Sequence, residues 1–157
     1  MKTLVYTQIN SDYAASMNSS LQNFLADIQV LYSNIRGFHW NVSGKNFYEL
    51  HSKFEKVYDD LSEKADEIAE RILQLGGVPE SKYSEYIKKS QFKEVNSIIS
   101  GSEMIVYLLE AYKTLISSER AILAKASKAG DDVTVAIITD YIKEQEKEIW
   151  MLSAYSL

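Results

Sequence analysis

Residues that break helices are scarce in this chain. Six glycines and one proline interrupt 157 residues, and they gather at Gly37 and Gly44, at Gly76, Gly77 and Pro79, at Gly101 and at Gly130. Glycine and proline are the strongest local punctuators of structure, so the chain is confined to a few long, unbroken segments. Within each segment apolar residues recur every three or four positions, the spacing of one helix face. From Asp12 to Arg36 the stripe reads Met17, Leu21, Phe24, Leu25, Ile28, Leu31, Tyr32 and Ile35. A second stripe, Leu50, Phe54, Val57, Leu61, Ala65, Ile68, Ile72 and Leu75, stops at Gly76-Gly77-Val78-Pro79, a strong termination signal. A third, with Ser102 as its expected cap, carries Met104, Ile105, Leu108, Leu109, Tyr112, Leu115, Ile116 and Leu123 up to Gly130. Asp131 is expected to cap a fourth, from Val133 to about Trp150.

Four long helices with no alternating strand pattern predict an all-α protein, a four-helix bundle occupying residues 1–157 as one domain. The joints at Gly37–Gly44 and Gly130 are short, so each should close an antiparallel hairpin. The connection from Ser81 to Ser100 is long enough to cross the bundle lengthwise, with a short helix of its own around Ser84–Lys89. A hydrophobic fraction of 46% can fill a core, and 25% charged residues suit a wet surface. The longest apolar run, Met104 to Leu109, falls far short of the roughly 18 residues a membrane helix needs. No signal-type apolar block follows Met1, so a cytoplasmic protein without membrane association is expected. The absence of cysteine removes disulfides, thiolate nucleophiles and zinc-finger or iron–sulfur sites. Any metal must be held by imidazole and carboxylate.

Both histidines flank one joint, His39 at the end of the first helix and His51 in the first turn of the second. Glu55 lies four residues after His51 and therefore on the same helix face, and Asp66 and Glu70 form a second i, i+4 acidic pair. The plain alternative for Asp66 and Glu70 is a solvated face, since Glu63, Glu67 and Arg71 surround them in sequence. Fifteen residues separate His51 from Asp66, about 22 Å along a helix axis, whereas metal–ligand bonds are about 2 Å long. One helix cannot bring both pairs to one ion, yet both lie on nearly the same side of it. Two copies packed antiparallel about a two-fold axis near Asp60 and Leu61 would set His51 and Glu55 of one chain against Asp66 and Glu70 of the other, twice over. With His39 added, the donor set is nitrogen- and oxygen-rich and suits Fe, Mn or Zn. Di-iron bundles with the site inside one subunit use Glu-x-x-His pairs. Here Arg36 and Tyr48 precede the histidines by three, which excludes that arrangement.

The run Phe38-His39-Trp40-Asn41-Val42-Ser43-Gly44-Lys45-Asn46-Phe47, then Leu50-His51, Phe54, Tyr58-Asp59, Asp66-Glu67-Ile68-Ala69-Glu70-Arg71 and Leu75-Gly76-Gly77-Val78-Pro79, resembles the Dps family of ferritin-like mini-ferritins. Gly130-Asp131-Asp132 and Ile149-Trp150-Met151-Leu152 extend the resemblance over nearly the whole chain. It implies a homo-dodecameric hollow shell built from two-fold dimers, a ferroxidase that oxidises Fe(II), preferably with hydrogen peroxide, and ferric iron stored inside. His39, His51 and Glu55 would come from one subunit and Asp66 and Glu70 from its partner, as di-iron ligands, with Glu55 standing where many relatives have Asp. Trp40 and Trp150 resemble aromatic residues that intercept oxidising equivalents, the alternative being bulky packing at helix ends. Asp132, Asp140 and Glu144, spaced along one face of the fourth helix, would line an iron-entry pore if a three-fold axis gathers them; Ala136 interrupts that stripe.

Two other readings compete with ferroxidase chemistry: a DNA-compacting protein of the same family, and a metal-free helical scaffold. The first twenty residues contain one basic residue, Lys2, and the tail after Trp150 has none. Twelve copies at −5 each would carry a formal −60, a field that repels phosphate and argues against direct DNA binding. A scaffold predicts histidines and acids scattered without geometry.

Overall fold

The computed structural model describes residues 2–97 and 99–156. It contains six helices: α1 (Lys2–Thr7), α2 (Ser11–Asn41), α3 (Phe47–Gln74), α4 (Tyr83–Lys89), α5 (Gly101–Ala129) and α6 (Asp132–Tyr155). No strand occurs among the described residues. The four long helices are those the apolar stripes anticipate, and α4 is the expected short helix of the long connection.

Hydrogen bonds between elements fix the path of the chain. The end of α3 returns to the start of α2, where Asn18 Nδ2 donates to Leu75 O and Gln22 Nε2 to Val78 O. The connection then climbs back along α2. Asp27 accepts from Ser90 and Gln91, Asn34 donates to Lys93 O, and Asn41 donates to Ser97 Oγ. α5 therefore starts at the same end as α3 and runs the same way, and its far end meets the start of α2 through Lys125 and Ser16. α6 returns, and Asn46 donates to the Tyr155 hydroxyl beside the α2–α3 joint. Each hairpin is antiparallel, and the connection crosses the bundle lengthwise.

The stripes meet in one core, with Met17, Leu21, Phe24, Ile28, Leu31, Ile35, Phe38, Phe54, Ile68 and Ile72 all buried. Fully burying a side chain of this kind is worth about 1.5–3 kcal/mol. Phe38 sits edge-on to Tyr107 at 5.2 Å and tilted against Phe54 at 5.8 Å.

Three boundaries differ from the sequence reading. The first long helix, whose stripe reads to Arg36 with His39 at the helix end, runs through Gly37 to Asn41. An interior glycine costs a helix about 1 kcal/mol, and burying Phe38 and His39 just beyond it outweighs that. Gly37 also lets the connection pass close, since an added Cβ would lie 3.2 Å from Ser97 Cβ. The third long helix is capped by Ser100 rather than Ser102. The Ser100 hydroxyl accepts from Glu103 N while the Glu103 carboxylate accepts from Ser100 N, a reciprocal capping box. The fourth continues past Trp150 to Tyr155. Asp131 caps it as expected, accepting from Thr134 N, and Gly130 supplies the left-handed turn (φ 71°) that ends α5. The short helix α1, anchored by the buried Leu4, has no counterpart in the sequence reading.

Candidate metal centre

The α2–α3 joint stacks the two imidazoles on one another. The His39 and His51 rings lie 3.8 Å apart at 23°. Their backbones and side chains are cross-bonded: His39 Nδ1 meets His51 O at 2.9 Å, and His51 Nδ1 meets His39 O at 2.9 Å. A carbonyl oxygen can only accept, so each Nδ1 carries the hydrogen. In the neutral rings the lone pair is then left on Nε2, the atom free to bind a metal. Neither Nε2 has a partner among the described residues. Fixing the tautomer through the second nitrogen is how proteins prepare histidine ligands.

Aromatic side chains hold the pair in place. Phe47 stacks on His51 at 5.0 Å, and Tyr58 meets His39 edge-on at 5.3 Å. Tyr32 lies edge-on to Tyr58 at 5.9 Å, and the Arg36 guanidinium lies 4.9 Å from both the Tyr32 and Trp40 ring centres. Burial, with Asp59 and Glu55 alongside, pushes the Tyr58 hydroxyl above the usual phenol range. The sequence reading did not single out Tyr32, Arg36 or Tyr58. Their spacing carried the signal, because Arg36 and Tyr32 are three and seven residues before His39 and Tyr58 is seven after His51.

Glu55, Asp66 and Glu70 are all exposed, and none makes a hydrogen bond or ion pair with a described residue. Glu49, Asp59 and Glu63 are likewise exposed and unpaired, whereas other charged residues of α3 are engaged. Glu67 accepts from the Tyr141 hydroxyl at 2.6 Å, Lys64 pairs with Asp60 and Glu144, and Arg71 pairs with Asp131 at 2.6 Å. The free carboxylates are thus a subset of the α3 surface. α3 is unbroken from Phe47 to Gln74, so His51 and Asp66 stand about 22 Å apart at ~1.5 Å per residue. Accordingly, no three His, Cys, Asp or Glu residues among those described gather into a metal cage within one chain. The structure brings His39 and His51 together and leaves Glu55 one helical turn further along α3. It keeps Asp66 and Glu70 apart from them, with Asp66 on the wall of a cleft of about 620 Å³ floored by Leu25, Ala65 and Ala69. Unpaired carboxylates and tautomer-fixed imidazoles are a donor set that fits iron, with manganese and zinc as competitors.

Of the acids on the fourth long helix, Asp132 and Asp140 are exposed and unpaired, whereas Glu144 is paired with the Lys64 ammonium. Trp40 and Trp150 are 66% and 68% exposed. Neither is a packing residue of the core.

A family model described as a ferritin-like domain matches residues 18–156. Over 155 residues the chain is 44% identical to the DNA protection during starvation protein of Porphyromonas gingivalis, covering 99% of this chain and 98% of that one. The crystal structure of a Dps protein from Vibrio cholerae O1, described as a member of a broad superfamily of ferritin-like diiron-carboxylate proteins, is similar at TM-score 0.91 and 44% identity over 94% of this chain and 92% of that one. A Dps protein from Bacillus brevis is similar at TM-score 0.89 and 30% identity, over 94% and 99% of the two chains. No helix among the described residues is long and apolar enough to cross a membrane.

Proposed function

The chain belongs to the Dps family of ferritin-like proteins, and from that premise we propose that it oxidises Fe(II) with hydrogen peroxide at sites shared by two subunits and stores the product in a hollow dodecamer in the cytoplasm. One observation carries this reading: a single straight helix bears two incomplete donor sets. His51 and Glu55, with His39 beside them, stand near its start, and the unpaired Asp66 and Glu70 lie about 22 Å further on. Neither set suffices alone, and a two-fold axis near Asp60 and Leu61 completes both at once. The cleft beside Asp66 leaves room for the histidine corner of a partner.

At such a site the imidazoles retain Fe(II), and the three carboxylates favour Fe(III) by their charge. Two Fe(II) each lose one electron to one peroxide. The O–O bond breaks, two protons complete two waters, and no hydroxyl radical is released. Asp132, Asp140 and Glu144 would line the route of entry around a three-fold axis. Trp40, in contact with Arg36 beside the histidines, and Trp150 would intercept stray oxidising equivalents.

The test is complementation. One variant lacks His51 and Glu55, the other Asp66 and Glu70, and each alone should be nearly inactive in Fe(II) oxidation. Shells reassembled from a dissociated equal mixture pair half their chains as mixed dimers, each with one intact site. About a quarter of wild-type sites should return. No recovery in shells shown to contain both variants would refute the shared site.

A further inference from the structure

One carboxyl lies inside the bundle, far from the histidine corner. Glu119 on α5 is 0% exposed, and Gln145 on α6 is 3% exposed. One hydrogen bond joins them, Gln145 Nε2 donating to Glu119 Oε1 at 2.5 Å. The second oxygen of each side chain, Glu119 Oε2 and Gln145 Oε1, is buried and has no partner. Both are acceptors, and each forfeits the solvation it would have in water.

No cation forms a hydrogen bond or ion pair with Glu119. The Lys64 ammonium, 5% exposed, is already shared between Asp60 and Glu144 and gives Glu119 no hydrogen bond. Arg120, next to Glu119 on α5, is paired with Glu146 at the surface. From α3 the groups facing this layer are Asp60, Lys64 and Glu67. From α6 they are Tyr141, Glu144 and Gln145, with Glu148 held by Lys53. Tyr112 adds a hydroxyl from α5, and α2 contributes the uncharged Phe24, stacked on Tyr141. Asp60, Glu144 and Glu119 thus surround one ammonium, and the buried carboxyl is the one it does not serve. A metal ion does not suit this place. An ammonium stands in it already, and no three metal-binding side chains come together among the described residues.

A single proton satisfies both orphaned oxygens. On Glu119 Oε2 it makes a carboxylic acid whose O–H donates to Gln145 Oε1, so that acid and amide are joined by two hydrogen bonds. We propose that the Glu119–Gln145 pair is a proton-binding site in the bundle core, loaded as a neutral carboxylic acid on the acid side and discharged to solvent through the α3–α6 cleft as pH rises. That cleft, of about 390 Å³, has Lys64, Tyr112 and Gln145 in its walls. Burial pushes the Glu119 carboxyl up to about 7, against the opposing pulls of the Gln145 hydrogen bond and of Lys64. The folded chain therefore holds a proton that the unfolded chain releases in the ordinary carboxylate range. The stability this gives is fully present below that range and is lost as pH rises toward and through neutrality. The inference is independent of the iron chemistry proposed above.

Glu119→Gln tests it, because an amide copies the protonated acid: its NH2 donates where the O–H does and its oxygen still accepts. Against this variant at equal protein concentration, the Tm of the wild type should drop by about 4–8 °C between about pH 5.5 and pH 8.5. The infrared carbonyl stretch of a protonated carboxyl should appear in the wild type on the acid side, fade through neutrality and be missing from the variant. A pH-independent Tm difference, no such band, or a Glu119→Gln chain that fails to fold would each overturn the proposal. All three are what an ionised Glu119 supporting Lys64 would give.

Discussion

Asp131 shows at the scale of one residue how a buried charge is made tolerable. Burial alone would raise its carboxyl, yet hydrogen bonds from Thr134, Tyr13 and Arg71 outweigh it and hold the group down at about 2. The Arg71 guanidinium bonds Asp131 Oδ1 at 2.6 Å and Thr134 Oγ1 at 2.9 Å, and the Tyr13 hydroxyl donates to Oδ2 at 2.7 Å. The network ties α2, α3 and the start of α6 together at the end of the bundle opposite the histidines. Because the folded carboxyl titrates below the unfolded one, its stabilisation is present above about pH 4 and lost as pH falls through about 2. Asp131→Asn leaves a buried guanidinium without its counter-ion. It should cost about 3 kcal/mol near neutral pH and flatten the loss of stability between pH 4 and 2, measured as apparent Tm at fixed protein concentration. A variant as acid-sensitive as the wild type would show that Asp131 is not the group responsible. Glu119 is the opposite case: it has one donor and no bonded cation, and burial pushes its carboxyl up.

Among the elements, the start of α5 separates a cap from a near miss. The sequence reading places the cap at Ser102, whose hydroxyl lies 3.0 Å from that of Ser100. Only Ser100 sits where its hydroxyl meets the Glu103 backbone N–H, and the Glu103 carboxyl, held low by bonds from the Ser100 side chain and backbone, closes the box. Ser100→Ala should cost about 1 kcal/mol, and Ser102→Ala only a few tenths, as read by urea midpoints. Equal costs would mean the cap is shared. The elements also show what an apolar stripe conceals. Glu119 stands four residues after Leu115 and four before Leu123, on the face the pattern assigns to the core. That interruption was the available signal for the buried acid. Reading it required knowing that Gln145, from a helix 26 residues on, would lie opposite.

For the whole molecule the governing quantity is charge. The chain is −5 at pH 7. An assembly of twelve would carry about −60 and repel duplex DNA at any distance shorter than the Debye length of about 8–10 Å. Native protein should elute as a closed assembly many times the 17.9 kDa of one chain and leave duplex DNA unshifted at moderate salt near neutral pH. Tight binding that weakens steeply with added salt would reveal a cationic surface formed only on assembly, and a monomer at micromolar concentration would remove the basis for a shared site.

The sequence by itself determined the four long helices and α4, their order and the crossover, though neither α1 nor the exact helix ends, because the 3.6-residue periodicity and the glycine stops are local. It also determined that the histidine pair and the distal acids cannot meet within one chain, since helix rise is a constant of the backbone. Tertiary structure decided the rest. α2 runs past Gly37 because burying Phe38 against Phe54 and Tyr107 outweighs the local cost of glycine, an energy visible only once those helices are packed. The α2–α3 joint then brings two imidazoles twelve residues apart to 3.8 Å and sets each Nδ1 on the other's carbonyl. That contact fixes their tautomers, and spacing along a chain cannot specify it, because it depends on where two helix ends stop relative to one another.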